Sequence, residues 1–206
     1  MSEFWELAFR NNDKMWGENP TDNAKNVLEL LQKNKVESVL IPGFGYGRNA
    51  KVFLEGGIHV SGIEISKTAI ERARKYFKSN ITIHHGSVTE MPFDNDEFES
   101  IYCYSLVHLL GEVERSKLIR DCYSQLATNG IMIFVALSSN DKRFGVGQKV
   151  SKNTFKSPNG LNLYFYEKLD IEREFKEFNI IEIIEIDEPE ESPTERHWMV
   201  ICKKNT

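Results

Sequence analysis

Apolar residues recur along the chain at two spacings, and the switches between them lay out the elements. Ala24, Val27, Leu28 and Leu31 follow Thr21-Asp22 at helical intervals, which predicts a capped helix. Ser38-Val39-Leu40-Ile41 is a short apolar run stopped by Pro42-Gly43 and reads as a buried strand. A helix is predicted from about Gly47, with Ala50, Phe53 and Leu54 on one face, ending at Gly56-Gly57. Residues 57–64 then read as a strand, Lys67–Phe77 as a helix, 81–83 as a strand and Phe98–Tyr104 as a fourth. Ile119, Cys122, Tyr123 and Leu126 predict a helix closed by Asn129-Gly130, and 131–137 a fifth strand.

Strands alternating with helices predict an α/β fold with a mostly parallel, Rossmann-like sheet covered on both faces. The end of the chain breaks the alternation. Residues 180–186 and 197–202 are both strand-like with no helix between them, only an acidic link over 187–195, so they predict an antiparallel hairpin. A nicotinamide-dinucleotide fold would continue with helical crossovers. Residues 138–169 show no clear period and read as a long loop insertion, of the kind that is usually functional.

The length of 206 residues suits one domain. Hydrophobic residues are 40% and charged residues 28%, ordinary values for a chain that folds around a core. The net charge of −5 disfavours a nucleic-acid partner, which would more usually select a basic chain. No apolar run is long enough for a bilayer and the start lacks a secretory leader, so a cytoplasmic, membrane-free protein is expected. Cys103, Cys122 and Cys202 are few and scattered, which predicts reduced, buried thiols and no metal centre.

The chemistry begins at Gly43-Phe44-Gly45-Tyr46-Gly47, between the first strand and the following helix. Such a turn lets a ligand approach the backbone without a Cβ in the way. Glu64 lies 21 residues after Gly43, at the end of the second strand, where a carboxylate can accept from both hydroxyls of a ribose. The third glycine comes one position earlier than in dinucleotide sites, with Arg48 in its expected place, and no Lys-Ser or Lys-Thr follows as in a P-loop.

Residues 39–50, from Val39 through Pro42-Gly43-Phe44-Gly45-Tyr46-Gly47 to Ala50, resemble motif I of the class I S-adenosylmethionine-dependent methyltransferases. Gly62-Ile63-Glu64-Ile65-Ser66 is similar to their motif II, and residues 85–93 to the segment that flanks the adenine. Leu106-Val107-His108-Leu109-Leu110 resembles the loop after strand four in the small-molecule branch, and Trp16-Gly17-x-x-Pro20 resembles a segment of the thiopurine and tellurite methyltransferases. The resemblance implies seven strands, the last inserted antiparallel. It implies S-adenosylmethionine as cofactor, S-adenosylhomocysteine as product and a small-molecule acceptor. The cofactor would lie over Gly43, Phe44, Gly45, Gly47, Glu64, Ile65, Ser87 and Val88, with Tyr104 and Trp16 beside it. Two positions depart from the family pattern: Ile41 and Ser87 stand where it usually has acids.

Methyl transfer is an in-line displacement that depends mainly on positioning, so a base is needed only for an acceptor that is protonated at neutral pH. His108, after strand four, is the candidate base, with a packed helix-start histidine as the plain alternative. Tyr104 is the candidate ring against the cofactor. His84 and His85 lack a third ligand at metal spacing, and His197, with Glu195 and Arg196 beside it, reads as a surface residue. Trp5, Phe9 and Trp16, within the first 35 residues, could close over the site as a lid. Residues 138–169 hold six basic residues against two acidic ones, together with Phe144, Phe155, Tyr164, Phe165 and Tyr166, which suggests an anionic or aromatic acceptor. A monomer or homodimer is expected. The alternatives are a non-catalytic module binding S-adenosylmethionine or S-adenosylhomocysteine, and an NAD-dependent oxidoreductase.

Overall fold

A computed structural model describes residues 2–13, 15–78, 80–92, 97–188 and 195–205. It divides into two compact units, Met1–Tyr102 and Cys103–Thr206. The first unit opens with helix α1 (Ser2–Asn11) and helix α2 (Asp22–Lys33). The Thr21 hydroxyl caps α2 by accepting from Ala24 N at 3.2 Å, and Ala24, Val27 and Leu31 are buried along one stripe. Then come β1 (Ser38–Pro42), α3 (Ala50–Glu55), β2 (His59–Glu64), α4 (Lys67–Phe77) and β3 (Ile81–His85). Strand β4 (Phe98–Tyr104) completes this half, and β1 pairs in parallel with both β2 and β4. The Ser66 hydroxyl caps α4 from Ala69 N, at 3.2 Å.

In the second unit a 3-10 turn (Val107–Leu109) leads into α5 (Glu112–Ser124) and β5 (Leu126–Leu137). Three short strands follow, β6 (Gln148–Ser151), β7 (Thr154–Lys156) and β8 (Asn162–Tyr164), then α6 (Lys168–Phe175), β9 (Ile180–Glu188) and β10 (Glu195–Lys203). The main sheet has seven strands in the order β3-β2-β1-β4-β5-β10-β9. Strand β10 runs antiparallel to both β5 and β9, which is the expected terminal hairpin. Residues 189–194 of its acidic link, and Phe93 of the adenine-flanking segment, lie outside the described residues. No described helix is long and apolar enough to cross a membrane.

Two expectations are corrected. Leu126, Asn129 and Gly130 belong to β5, not to a helix end. Asn129 has φ 65° and donates its N–H to Lys204 O at 3.0 Å, while Lys204 N returns to Gly130 O, so the chain bends within a paired strand. Residues 138–169 are not a loop: β6, β7 and β8 form an antiparallel sheet of their own. Phe155, Phe165 and Leu137 are its core, with Leu163 and the Phe144 ring packed against them.

Arg115 of α5 and Glu174 of α6 form an almost fully enclosed ion pair at 3.0 Å. The guanidinium also lies 3.9 Å from the centre of the Tyr164 ring, and the Tyr166 hydroxyl donates to Glu174. Removing one member strands the other charge. Glu174→Ala is therefore expected to cost about 3–5 kcal/mol in urea unfolding, whereas replacing both by apolar residues of like volume costs far less. Equal losses in the single and double variants would contradict this.

Candidate cofactor and acceptor sites

In the first unit, β1 ends in a turn in which Gly43, Gly45 and Gly47 all have positive φ. At Gly47 the constraint is also one of space, because a Cβ would come within 2.4 Å of the Phe77 ring and 2.8 Å of the Phe44 ring. Phe44 turns inward over Gly62 and is buried. The turn is held from β2: Gly43 N and Phe44 N both donate to Ile63 O, at 3.0 and 3.1 Å.

Glu64, at the end of β2, is only 5% exposed. One carboxylate oxygen accepts from Gly45 N at 2.7 Å and the other from Ser66 N at 2.8 Å. Burial pushes this carboxyl above the usual range, opposed by those two N–H groups. Each oxygen takes one donor and retains capacity for a second, so the group can still accept from a vicinal diol. Ile65, beside it, is half-buried and its carbonyl accepts from His85 Nε2 at 3.2 Å. The Ser87 hydroxyl is engaged locally, with Thr89 N at 3.2 Å and the Thr89 hydroxyl at 2.8 Å, and Val88 is buried behind it. Ile41 is buried in β1.

The N-terminal helix lies on this turn. A Cβ on Gly45 would stand 3.7 Å from the Phe9 ring. Phe9, Trp5, Trp16 and Tyr46 form a ring cluster, with Trp16 stacked on Tyr46 at 6.3 Å. Glu6 fixes α1 to the start of α4 by accepting from the Ser66 hydroxyl at 2.7 Å, the Thr68 hydroxyl at 2.7 Å and Thr68 N at 3.2 Å. The Thr68 and Ser66 hydroxyls pull its carboxyl down to about 2. Sequence reading missed Glu6, because its partners are 60 residues away.

In the second unit the end of β4 brings together Tyr104 and Ser105, both half-exposed. His108 is buried, and its Nδ1 accepts from Leu137 N at 3.2 Å, so its ring proton sits on Nε2. Burial, then His197 and Arg143, hold its pKa well below the usual range. His197 is not on the surface: it is 2% exposed and lies 6.1 Å from the Tyr104 ring and 6.4 Å from the His108 ring. Its charged neighbours Glu195 and Arg196 misled the sequence reading. Asp141 accepts from Arg196 N at 2.8 Å and from the Arg143 fork at 2.7 and 3.1 Å, and Arg143 also meets Glu195 at 3.0 Å. Burial raises the Asp141 carboxyl, but the Arg143 bonds outweigh it and lower its pKa.

Arg143, Lys152 and the rings of 138–169 are engaged by the protein itself. Arg143 serves Asp141 and Glu195, Lys152 meets Glu167, and the aromatic residues pack on one another or on Arg115. Cys103, Cys122 and Cys202 are buried free thiols, with Cys202 pushed up to about 12 by burial. Among the described residues no group of three or more His, Cys, Asp or Glu could hold a metal ion.

Residues 39–130 match a family described as "Methyltransferase domain". That span runs from β1 through the glycine turn, Glu64 and the 3-10 turn into β5. That stretch of the chain is similar to a methyltransferase domain. Among solved structures, the chain is similar to 1,6-didemethyltoxoflavin-N1-methyltransferase of Burkholderia thailandensis, with bound 1,6-didemethyltoxoflavin and S-adenosylhomocysteine. The TM-score is 0.78 at 13% identity, over 100% of this chain and 87% of that one. It is also similar to a SAM-dependent methyltransferase of Anabaena variabilis, with TM-score 0.73 and 19% identity over 99% and 95% of the two chains. An uncharacterized protein of Rickettsia prowazekii is 31% identical over 77 residues, 35% of this chain, and the match spans only 14% of that relative.

Burial, followed by the nearby Arg143 guanidinium, lowers the His197 pKa from 6.5 to about 4. The folded chain thus keeps His197 neutral where the unfolded chain would protonate it, so stability is lost as pH falls from 6.5 towards 4. At about 1.4 kcal/mol per pKa unit the loss from this ring approaches about 3 kcal/mol. In unfolding curves across that window, His197→Phe should flatten the slope. An unchanged slope would show that the ring is not held neutral.

Proposed function

We propose that the protein transfers a methyl group from S-adenosylmethionine to a small-molecule acceptor. The observation that carries the reading is the Glu64 carboxylate, which bridges Gly45 N and Ser66 N at the end of β2 and keeps acceptor capacity for two hydroxyls. Gly43, Phe44, Gly45 and Gly47 would present backbone to the cofactor, with Glu64 on the ribose and Ile65, Ser87 and Val88 around the adenine. Ser87 already accepts from Thr89 N, so its contribution is mainly to shape that turn. Trp16, within the ring cluster of α1 and Tyr46, would cover the cofactor.

The cofactor supplies an electrophilic methyl on a cationic sulfur, and the protein's task is alignment and exclusion of water. His108 suits this as a fixed N–H donor and not as a base, since its Nδ1 lone pair is already taken by Leu137 N. The similarity to 1,6-didemethyltoxoflavin-N1-methyltransferase supports a small organic acceptor. The reduced, buried cysteines support a cytoplasmic setting.

Thermal unfolding with S-adenosylhomocysteine, S-adenosylmethionine and NAD in parallel tests the cofactor. At 100 times its dissociation constant a ligand stabilises by about 2.7 kcal/mol, which raises the midpoint by a few degrees. The adenosyl compounds should shift the midpoint and NAD should not. Glu64→Gln, which replaces an acceptor oxygen by a donor, should weaken S-adenosylhomocysteine about tenfold or more. A shift with NAD alone, or unaltered binding by the variant, contradicts the proposal.

A further inference from the structure

His197, in the second unit, carries a buried polar atom that the fold leaves unserved and that the chemistry above does not use. His197 Nδ1 has no solvent exposure and no hydrogen-bond partner among the described residues. The polar groups around it are committed elsewhere. His108 Nδ1 takes Leu137 N, Asp141 takes Arg143 and Arg196 N, and Arg143 takes Asp141 and Glu195. Buried polar groups are normally paired, and one that is not calls for an explanation.

The surroundings of the ring point to a ligand. On one side lies the Tyr104 ring, near-parallel at 29°, at the half-exposed end of β4. His197 Nε2 lies 3.5 Å from the Ser105 hydroxyl, and Ser105 has φ 51°, a strained setting for a residue other than glycine that is often found at functional positions. With the Nε2 proton turned to Ser105, Nδ1 presents a lone pair. The charged and titratable groups nearby are Arg143, Asp141 and His108, and the Arg143 guanidinium opposes protonation of the ring.

We propose that His197 recognises the methyl acceptor, its Nδ1 lone pair accepting a hydrogen bond from an uncharged N–H or O–H group that lies beside the Tyr104 ring. The acceptor class is thus a neutral, protic, flat molecule and not an anion, because an unprotonated Nδ1 offers an anion no donor and Arg143, the cation beside the ring, is already paired with Asp141 and Glu195. This rests on the methyltransferase reading for the meaning of the ligand, while the recognition itself can be measured apart from turnover.

The test uses the full chain saturated with S-adenosylhomocysteine, with phenol as the neutral protic probe and benzoate as the anionic one, followed by the ring 15N resonances of His197. Nδ1 should show the shift of an unprotonated nitrogen and move towards the hydrogen-bonded range with phenol but not with benzoate. His197→Gln, which removes an acceptor at Nδ1, should lose at least tenfold in phenol affinity, and His197→Asn, which restores one near that place, should recover part of it. Both variants should bind S-adenosylhomocysteine within twofold of the parent, which separates a local effect from misfolding. A proton on Nδ1, an equal response to benzoate, no response to phenol, or undiminished phenol binding by His197→Gln overturns the assignment. Failure of the parent chain to bind S-adenosylhomocysteine overturns instead the methyltransferase reading beneath it.

Discussion

The carboxylate of Glu64 is the constraint on which the first half of the protein turns. It sits at the end of β2, almost without solvent, and joins two segments that follow different strands: the glycine turn through Gly45 N and the start of α4 through Ser66 N. A buried carboxylate survives only where donors are aimed at it. Here the donors are backbone N–H groups, so the same atoms that make the charge tolerable also fix the turn. Ser66 extends the arrangement, since its hydroxyl caps α4 and donates to Glu6 of α1. Glycine turn, helix start and N-terminal helix are thereby set by two acids and one serine.

The second half is organised by a comparable anchor. Asp141 ties the turn after β5 to the start of β10 through Arg196 N, and draws Arg143 down beside the two histidines. That cation helps keep His197 and His108 neutral. The buried Arg115–Glu174 pair, clasped by Tyr164 and Tyr166, holds α5 to α6. Arg143, one of the cations that a composition count would assign to ligand binding, is thus held by the protein itself.

Much of the architecture was legible in the sequence where one period runs unbroken. Lys67–Phe77 and Phe98–Tyr104 fall where apolar spacing places them, and the terminal hairpin was visible because two β-rich segments have no helix between them. The glycine turn and Glu64 were legible because strand, turn and acid occur in a fixed order. Local reading failed where a long-range partner decides the outcome. Asn129-Gly130 looked like a helix stop, yet pairing with Lys204 keeps it within β5. The basic, aromatic stretch 138–169 looked like a loop, yet its rings make a small core of their own. His197 looked exposed because strand alternation places it inward while Arg196 points outward, and single-residue polarity does not show which.

The central claim is that the glycine turn held by Glu64 is a cofactor site. Amide hydrogen exchange across residues 43–48 and 64–68, measured with and without S-adenosylhomocysteine, tests it most directly. The account predicts that the ligand slows exchange in both segments and in α1 by at least about tenfold, and that NAD does not. Unchanged exchange in those segments, with protection arising only elsewhere in the chain, would contradict it.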